Sequence, residues 1–427
     1  MHFLFRLDRV MTAVVILLFL FSNICLGGGA WLTEAGGMDM AMAGAGSAAL
    51  AADASTLAAN PAGMVSLSGT QLLVAALPIK LDATLSGTGA IPGSINNRGG
   101  AVPAGAIFAT HSDGRWAAGL GTYSYFGLGF DYGKQWSGAR ALRSAEILSL
   151  NIAPALAYRL TDKLSLGAAL QVQYAAVEAK LASANDAAFY GPPVNMSDGH
   201  LKLAGDSWAP GGVLGASYVH SHDTRFGLAW TAPVSHDMTL DLQTRNVHPV
   251  AEVLLQQAGD VALDISLPQQ WRLSGVHHLS TDTLLTGSLA WQQWSAFGDA
   301  ELAIGRQHAP MFEGGLRDTW GVAVGLRHRL RPQWTVAGGV GYDSNPAKNG
   351  RAPIYFPVSE QVRLALGADY QYSPALIIRA ALSVVCQDNV RIGQDSYPLQ
   401  LPGMPVVTGD IKGSRIYVGV VAMDYRW

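Results

Sequence analysis

Apolar and polar residues alternate with a period of two through most of the chain beyond residue 68. In residues 147–160, Leu148, Leu150, Ile152, Leu156, Tyr158 and Leu160 stand against Ser149, Asn151, Ala153 and Arg159. Residues 164–176 set Leu164, Leu166, Leu170, Val172 and Tyr174 against Ser165, Gly167, Gln171 and Gln173. Residues 320–330 repeat the scheme with Trp320, Val322, Val324, Leu326 and Leu330 opposite Gly321, Gly325, Arg327 and Arg329. Residues 375–386 place Arg379 and Ser383 on the polar face. A helix would space its apolar residues by three and four, so these segments predict strands. Residues 415–427 are the plainest case: Tyr417, Gly419, Val421, Met423, Tyr425 and Trp427 share one face, and Val420, Ala422, Asp424 and Arg426 the other. Such a strand suits a wall with lipid on one side and a polar lumen on the other.

Short polar turns separate the strands at residues 111–114, 161–163, 221–224, 280–283, 331–333 and 373–374. Longer stretches rich in Gly, Pro and Asn lie between them, at residues 87–100, 182–199, 345–357 and 388–409. Short turns on one side and long loops on the other, with an even strand count, are the pattern of a transmembrane antiparallel β-barrel. Counting turns and loops gives about fourteen strands over residues 69–427, left open by two because segments such as residues 198–219 alternate weakly.

The first thirty residues read as an export leader. Arg6 and Arg9 precede an apolar stretch from Val10 to Phe21, and Gly27, Gly28, Gly29 and Ala30 are small residues suited to cleavage near residues 27–30. The apolar stretch is shorter than the ~20 residues a spanning helix needs. The chain carries 28 Lys+Arg against 31 Asp+Glu, a net charge of −3. Loss of Arg6, Arg9 and Asp8 makes it one more negative, so no basic surplus attracts nucleic acid. Cys386 alone would remain after cleavage, which leaves no partner for an internal disulfide. Charged residues are scarce at 14%, yet no apolar run beyond the leader approaches the ~18 residues of a membrane helix.

Residues 31–68 do not alternate. The run GGMDMAMAGAGSAALAADASTLAANPAGM is made of small residues that suit short helices and turns in a confined space, and a barrel of this size has a lumen its own side chains cannot fill. The alternative is a periplasmic tail. Within the run, Gly44-Ala45-Gly46-Ser47-Ala48, Ala52-Asp53-Ala54-Ser55-Thr56-Leu57 and Asn60-Pro61-Ala62-Gly63-Met64 resemble the hatch of the long-chain fatty-acid outer-membrane transporter family (FadL-type). LAYRLTDKLSLGAALQVQYA from residue 156, LPQQWRLSG and WQQWSAF within residues 267–297, and GVGYDSNP at 339–346 extend the likeness over nearly the whole chain. The resemblance implies a fourteen-stranded barrel closed by an N-terminal hatch. It implies passage of hydrophobic molecules, mainly long-chain fatty acids and in some branches aromatic hydrocarbons. Capture would occur at an extracellular apolar groove and exit sideways at a kink in the third strand.

Candidate residues follow from this frame. Asp53, Ser55, Asn60, Pro61, Ala62 and Gly63 are hatch and gating candidates, with Pro61 fixing a turn that either switches on ligand binding or simply joins the hatch to the first strand. Gly119, Gly121, Gly127 and Gly129 mark either the strand kink or room for the hatch. Carboxylate-binding candidates are Arg159, Lys180, Arg363 and Arg379, with Arg327 and Arg329 also on the presumed lumen face. Some family members place a basic residue just after the Tyr-Ala of the fifth strand. Here Tyr174 is followed by Ala175, Ala176, Val177 and Glu178, which leaves room for an uncharged substrate. Residues 247–261 read as a short amphipathic helix, with Val250, Val253, Leu254 and Leu255 forming a capture groove or covering the rim. Met311 and Phe312 are further candidates. Tyr425 and Trp427 resemble the signal read by the outer-membrane assembly machinery.

No Gly-x-Ser-x-Gly elbow, phosphate-binding glycine loop or set of zinc ligands stands out, so an enzyme, a cofactor and a metal are not expected. The expectation is a monomer of the Gram-negative outer membrane, in contact with its lipids and assembly machinery. It would admit a hydrophobic small molecule by facilitated diffusion. The alternative from another class is a structural or adhesive barrel whose hatch never opens.

Overall fold

The computed structural model describes residues 36–88, 92–183, 185, 198–312, 314–348, 351–393 and 407–427. The expected leader, residues 1–30, lies outside them. Fourteen antiparallel strands form a closed barrel. They are β1 (Gly69–Thr88), β2 (Val102–Ser112), β3 (Trp116–Tyr123 and Gly127–Asp131), β4 (Ser144–Arg159) and β5 (Leu164–Ser183). Then follow β6 (Gly199–Val219), β7 (Thr224–Thr231 and Val234–Arg245), β8 (Val261–Leu267 and Gln270–His278) and β9 (Thr283–Gln292). The last five are β10 (Thr319–Arg331), β11 (Trp334–Asp343), β12 (Gln361–Ser373), β13 (Leu376–Gln387) and β14 (Thr408–Arg426). Each strand pairs with the next, and β14 returns to β1 from Gln71↔Arg426 to Thr88↔Thr408. Trp427 locks this seam by exchanging two 3.0 Å backbone hydrogen bonds with Thr70.

The six short turns fall where alternation breaks in the sequence, all at one end of the barrel. The weakly alternating segment is the unbroken strand β6, whose pattern is diluted by Gly205, Gly211, Gly212 and Gly215 but whose Trp208, Leu214 and Tyr218 still point outward. Outward residues are large and apolar, for example Leu156, Leu170, Val324 and Leu366. Aromatic pairs flank that band: Trp116–Tyr158, Trp334–Tyr370 and Tyr425–Trp427 near the turns, Tyr174–Trp208 and Trp230–Trp271 towards the loops. Two aromatic girdles around an apolar belt mark the part of the wall that faces lipid.

Residues 36–68 sit inside the barrel. They comprise 3-10 helices Met38–Met42 and Pro61–Ser66 and single-turn helices Ser47–Leu50 and Thr56–Ala59, almost wholly buried. Glycines on the inner wall admit their backbone. A Cβ added at Gly227 would lie 1.8 Å from the Ala48 carbonyl oxygen, at Gly167 2.3 Å from the Ala62 nitrogen, and at Gly339 2.3 Å from the Met42 oxygen. These close approaches account for part of the 49 glycines in the chain.

Replacing Gly227 with Ala should unseat the helix Ser47–Leu50 while the barrel still forms, at a cost of ~1–3 kcal/mol from overpacking. Limited proteolysis of outer membranes would then cut the hatch faster than in the wild type, and equal cutting would show that the slot is not needed. Trp427→Ala removes the ring stacked on Tyr425. Its outer-membrane level should fall, measured by immunoblot against a heat-modified control, and unchanged levels would remove Trp427 from assembly.

Candidate functional site

An apolar cavity of about 220 Å³ opens above the hatch at the loop end of the barrel. Its walls come from inward residues of β4 to β8, such as Leu240, Leu263 and Ile265, and from rings supplied by loops: Phe297, Phe312, Tyr355 and Phe356. Met311 and Leu255 also line it. Leu255 belongs to the helix Pro249–Gln257, which the sequence placed within residues 247–261; Val250, Val253 and Leu254 face solvent on the same helix. The charged residues in the lining are Glu146 and Glu178, a cross-strand pair at its edge.

None of the candidate cations lines this cavity. Lys180, a carboxylate-binding candidate, does not face the lumen. It continues the outward register of Leu170, Val172 and Tyr174, and its ammonium pairs with Glu178, whose other oxygen is 2.7 Å from Lys202. Arg159 lies low in the lumen and donates to the Val65 carbonyl at 3.0 Å. Arg327 and Arg329 sit at the turn end of β10, Arg329 being 3.9 Å from Asp282. Arg363 is 3.0 Å from Asp343 and lines a separate polar niche of about 30 Å³ with Gln361, Ser359 and Trp294. Trp294 packs against Phe297 and Phe356, so one indole separates this niche from the apolar cavity.

Arg379 is committed to the hatch. Its guanidinium grips Asp369 through Nε at 2.7 Å and Nη2 at 3.0 Å, and donates through Nη1 to Asp53 Oδ2 at 2.8 Å. Asp53 also accepts from the Met38 and Ser55 amides at 3.2 and 3.0 Å. Burial would push the Asp53 carboxyl up, but Arg379 and the Ser55 hydrogen bonds outweigh it and hold the group below the ordinary carboxylate range. Asn60 makes the second anchor. Its amide donates to the Ala48 carbonyl at 2.6 Å and to Ala216 of β6 at 2.9 Å, while its oxygen caps the Ala62 amide at 3.1 Å. Pro61 follows as the first residue of the 3-10 helix and Gly63 lies within it.

The third strand is interrupted at residues 124–126, between Tyr123 and Gly127. Gly119 and Gly121 lie in the continuous part and are a correction to the kink reading: a Cβ there would strike Leu57 of the hatch or Phe108 at 2.7 Å. Gly127 opens the upper segment and Gly129 lies within it. Below the break, β2 and β3 are laddered from Ile107↔Thr122 downward. Above it, the Arg98 amide donates to Asp131 O at 2.7 Å and Asn97 Oδ1 accepts from Asp131 N at 2.9 Å. Between these limits residues 102–106 pair with β1, residues 127–131 pair with β4, and no ladder joins the two, among the described residues. Small residues form the β2 edge of this window: Pro103, Ala104, Gly105 and Ala106. The carbonyls left over on β3 are taken by β4. Asn151 Nδ2 donates to Tyr123 O at 3.2 Å and Ser149 Oγ to Phe126 O at 2.8 Å. Behind Asn151 runs a buried chain through Gln173 and His236 to Ser207.

Phe126, Trp294, Phe297, Tyr355, Phe356, Ser149 and Asn151 were not singled out from sequence. The loop rings show no period, although WQQWSAF and the aromatic pair Tyr355–Phe356 are visible clusters. Ser149 and Asn151 were seen only as the polar half of an alternating strand.

The description "Outer membrane protein transport protein (OMPP1/FadL/TodX)" matches residues 18–426. A long-chain fatty acid transport protein of Escherichia coli O6:H1 is 22% identical over 394 residues, covering 85% of this chain and 87% of the relative. A 47 kDa outer membrane protein of Pasteurella multocida is 27% identical over 374 residues, covering 82% and 86%. Among solved structures, a Pseudomonas aeruginosa FadL homologue superposes with a TM-score of 0.77 at 20% identity, covering 93% of this chain and 100% of the other. The Ralstonia pickettii toluene transporter TbuX gives 0.66 at 21%, covering 93% and 99%. The chain therefore belongs to the OMPP1/FadL/TodX family of outer-membrane transport proteins, which are transport channels and not enzymes.

Proposed function

We propose that the protein passes hydrophobic small molecules down their concentration gradient, from the apolar cavity to the membrane through the window between β2 and β3. The observation that carries this reading is the cavity itself. Its walls are aliphatic and aromatic, it lies above the seated hatch, and it adjoins the interrupted strand. A molecule leaving sideways would exchange apolar cavity for apolar lipid without crossing water, which keeps its desolvated surface covered throughout.

Long-chain fatty acids are the first substrate reading, supported by the names of the curated relatives and by the Arg363 niche one ring away from the cavity. An acyl tail among the rings with its carboxylate at Arg363 would use both. Uncharged aromatic hydrocarbons are the second, favoured by the two carboxylates at the cavity edge and by Lys180 lying on the outer face. The hatch anchors at Asp53 and Asn60 keep the lumen shut in either case, and movement at the Pro61 turn would be the slow step.

In cells lacking a transporter of this type, labelled oleate and labelled toluene distinguish the readings. If the acid is carried, Arg363→Gln should lower oleate uptake about tenfold, as loss of a charge-assisted contact worth ~1.4 kcal/mol predicts. Toluene uptake should stay level. Equal effects on both would remove Arg363 from head-group binding, and uptake of neither by the wild type would leave the structural or adhesive barrel. Asp53→Asn should loosen the hatch, since breaking a buried pair costs ~3–5 kcal/mol. The readout is entry of a large antibiotic that intact outer membranes exclude, and unchanged sensitivity would place the lumen seal elsewhere.

A further inference from the structure

Phe126 belongs to the interrupted stretch of β3 that borders the window, and its ring packs on the cavity wall. It is wholly buried, its ring centroid 5.5 Å from Phe297 of the cavity wall and 6.3 Å from Trp294. Its carbonyl accepts from the Ser149 amide at 3.1 Å, from Ser149 Oγ at 2.8 Å and from Ser124 Oγ at 3.3 Å. The backbone at this residue is clamped to β4, although the stretch around it has left β2. The β2 edge of the window, from Pro103 to Ala106, carries only small side chains.

We propose that Phe126 is a size-selective door between the cavity and the lipid phase, with Ser149 and Ser124 as its frame. Opening turns one side chain about its own torsions and breaks no backbone hydrogen bond. Moving a strand instead would expose amides and carbonyls to hydrocarbon, at several kcal/mol for each group. The rings that Phe126 touches in the closed position are the ones a hydrophobic ligand in the cavity would touch. Arrival of the ligand thus replaces the door's contacts as it swings. This inference rests on the transport reading given above and deepens it by assigning the residue that sets how large a molecule leaves.

The test uses the full-length protein in outer membranes with Cys386→Ser, and a thiol introduced by Ala106→Cys at the buried window edge. A bilayer-dissolved pyrene maleimide reports how often the window is open, whatever the natural substrate. Phe126→Ala should raise the labelling rate about tenfold, equivalent to ~1.4 kcal/mol of barrier, and Phe126→Trp should lower it. Phe126→Leu, checked for folding by its heat-dependent gel mobility, guards against collapse of the alanine variant. Toluene and oleate uptake should follow the same order. Labelling that ignores the residue at 126 in folded variants would overturn the door. Labelling that follows it, with no uptake of either probe by the wild type, would overturn the transport reading instead.

Discussion

Lipid offers no hydrogen bonds, and that constraint governs every departure from a regular ladder in this barrel. A strand facing hydrocarbon cannot be interrupted unless its amides and carbonyls find partners within the protein. The third strand is interrupted at residues 124–126, and the neighbouring strand holds its carbonyls with side chains as well as backbone: the Ser149 amide and hydroxyl donate to Phe126 O, and Asn151 Nδ2 to Tyr123 O. Asn151 is itself held by Gln173, and Gln173 by His236. The buried polar chain thus braces β4 where it pairs with the interrupted strand. On the opposite edge Pro103 brings no N–H that would need a partner, and the other edge residues are too small to fill the space.

The hatch meets the same requirement from inside. A plug made of short helices has many backbone groups unpaired at helix ends, and each must be met by the barrel or by the plug. Ser274 and Ser288 accept from the Ala48 and Gly46 amides at 3.2 and 2.8 Å, and Asn60 and Arg159 serve carbonyls. Close approach demands the absence of Cβ atoms on the wall, which is why glycine recurs at inward positions that alternation alone would have given to any small residue. The hatch carboxylate that meets a cation of the barrel wall, Asp53 beside Arg379 and Asp369, sets two carboxylates around one guanidinium at a point almost fully removed from water. An arrangement of that kind specifies a seating more than it adds stability, because both ions lose hydration on docking.

The barrel was legible because its signals are local. Period-two alternation and polar turns are set by neighbours in sequence, and all six short turns lie at or beside the short polar runs of two to four residues read from it. The hatch was legible by composition and motif. What escaped was nonlocal. The four glycines of the third strand read equally as a kink or as room for the hatch, and choosing between them took Leu57, a hatch residue more than sixty positions away that lies against Gly119 and Gly121. The break depends on donors from β4 that no reading of β3 could supply. Lys180 was a carboxylate-binding candidate as the first basic residue after the Tyr-Ala of β5. The unbroken register of β5 carries it to the outer face instead. The cavity rings come from loops without period, brought together only by closure of the barrel.

Charge distribution bears on how a fatty acid would sit. Glu146 and Glu178 offer a carboxylate no cation, since Lys180 and Lys202 are already paired with Glu178. An ionised acid therefore has to direct its head away from β4 and β5, and the Arg363 niche lies on the other side, beyond Trp294. Asp343 already compensates Arg363 at 3.0 Å, so an arriving carboxylate must share the guanidinium or displace that partner. A neutral aromatic meets neither obstacle, since its contacts are with rings whose centroids lie within 4.9 to 5.8 Å of one another around Phe356. The same cavity would hold both, but only the acid would need Trp294 to give way. A ligand's charge, more than its length, thus decides which part of the wall must move.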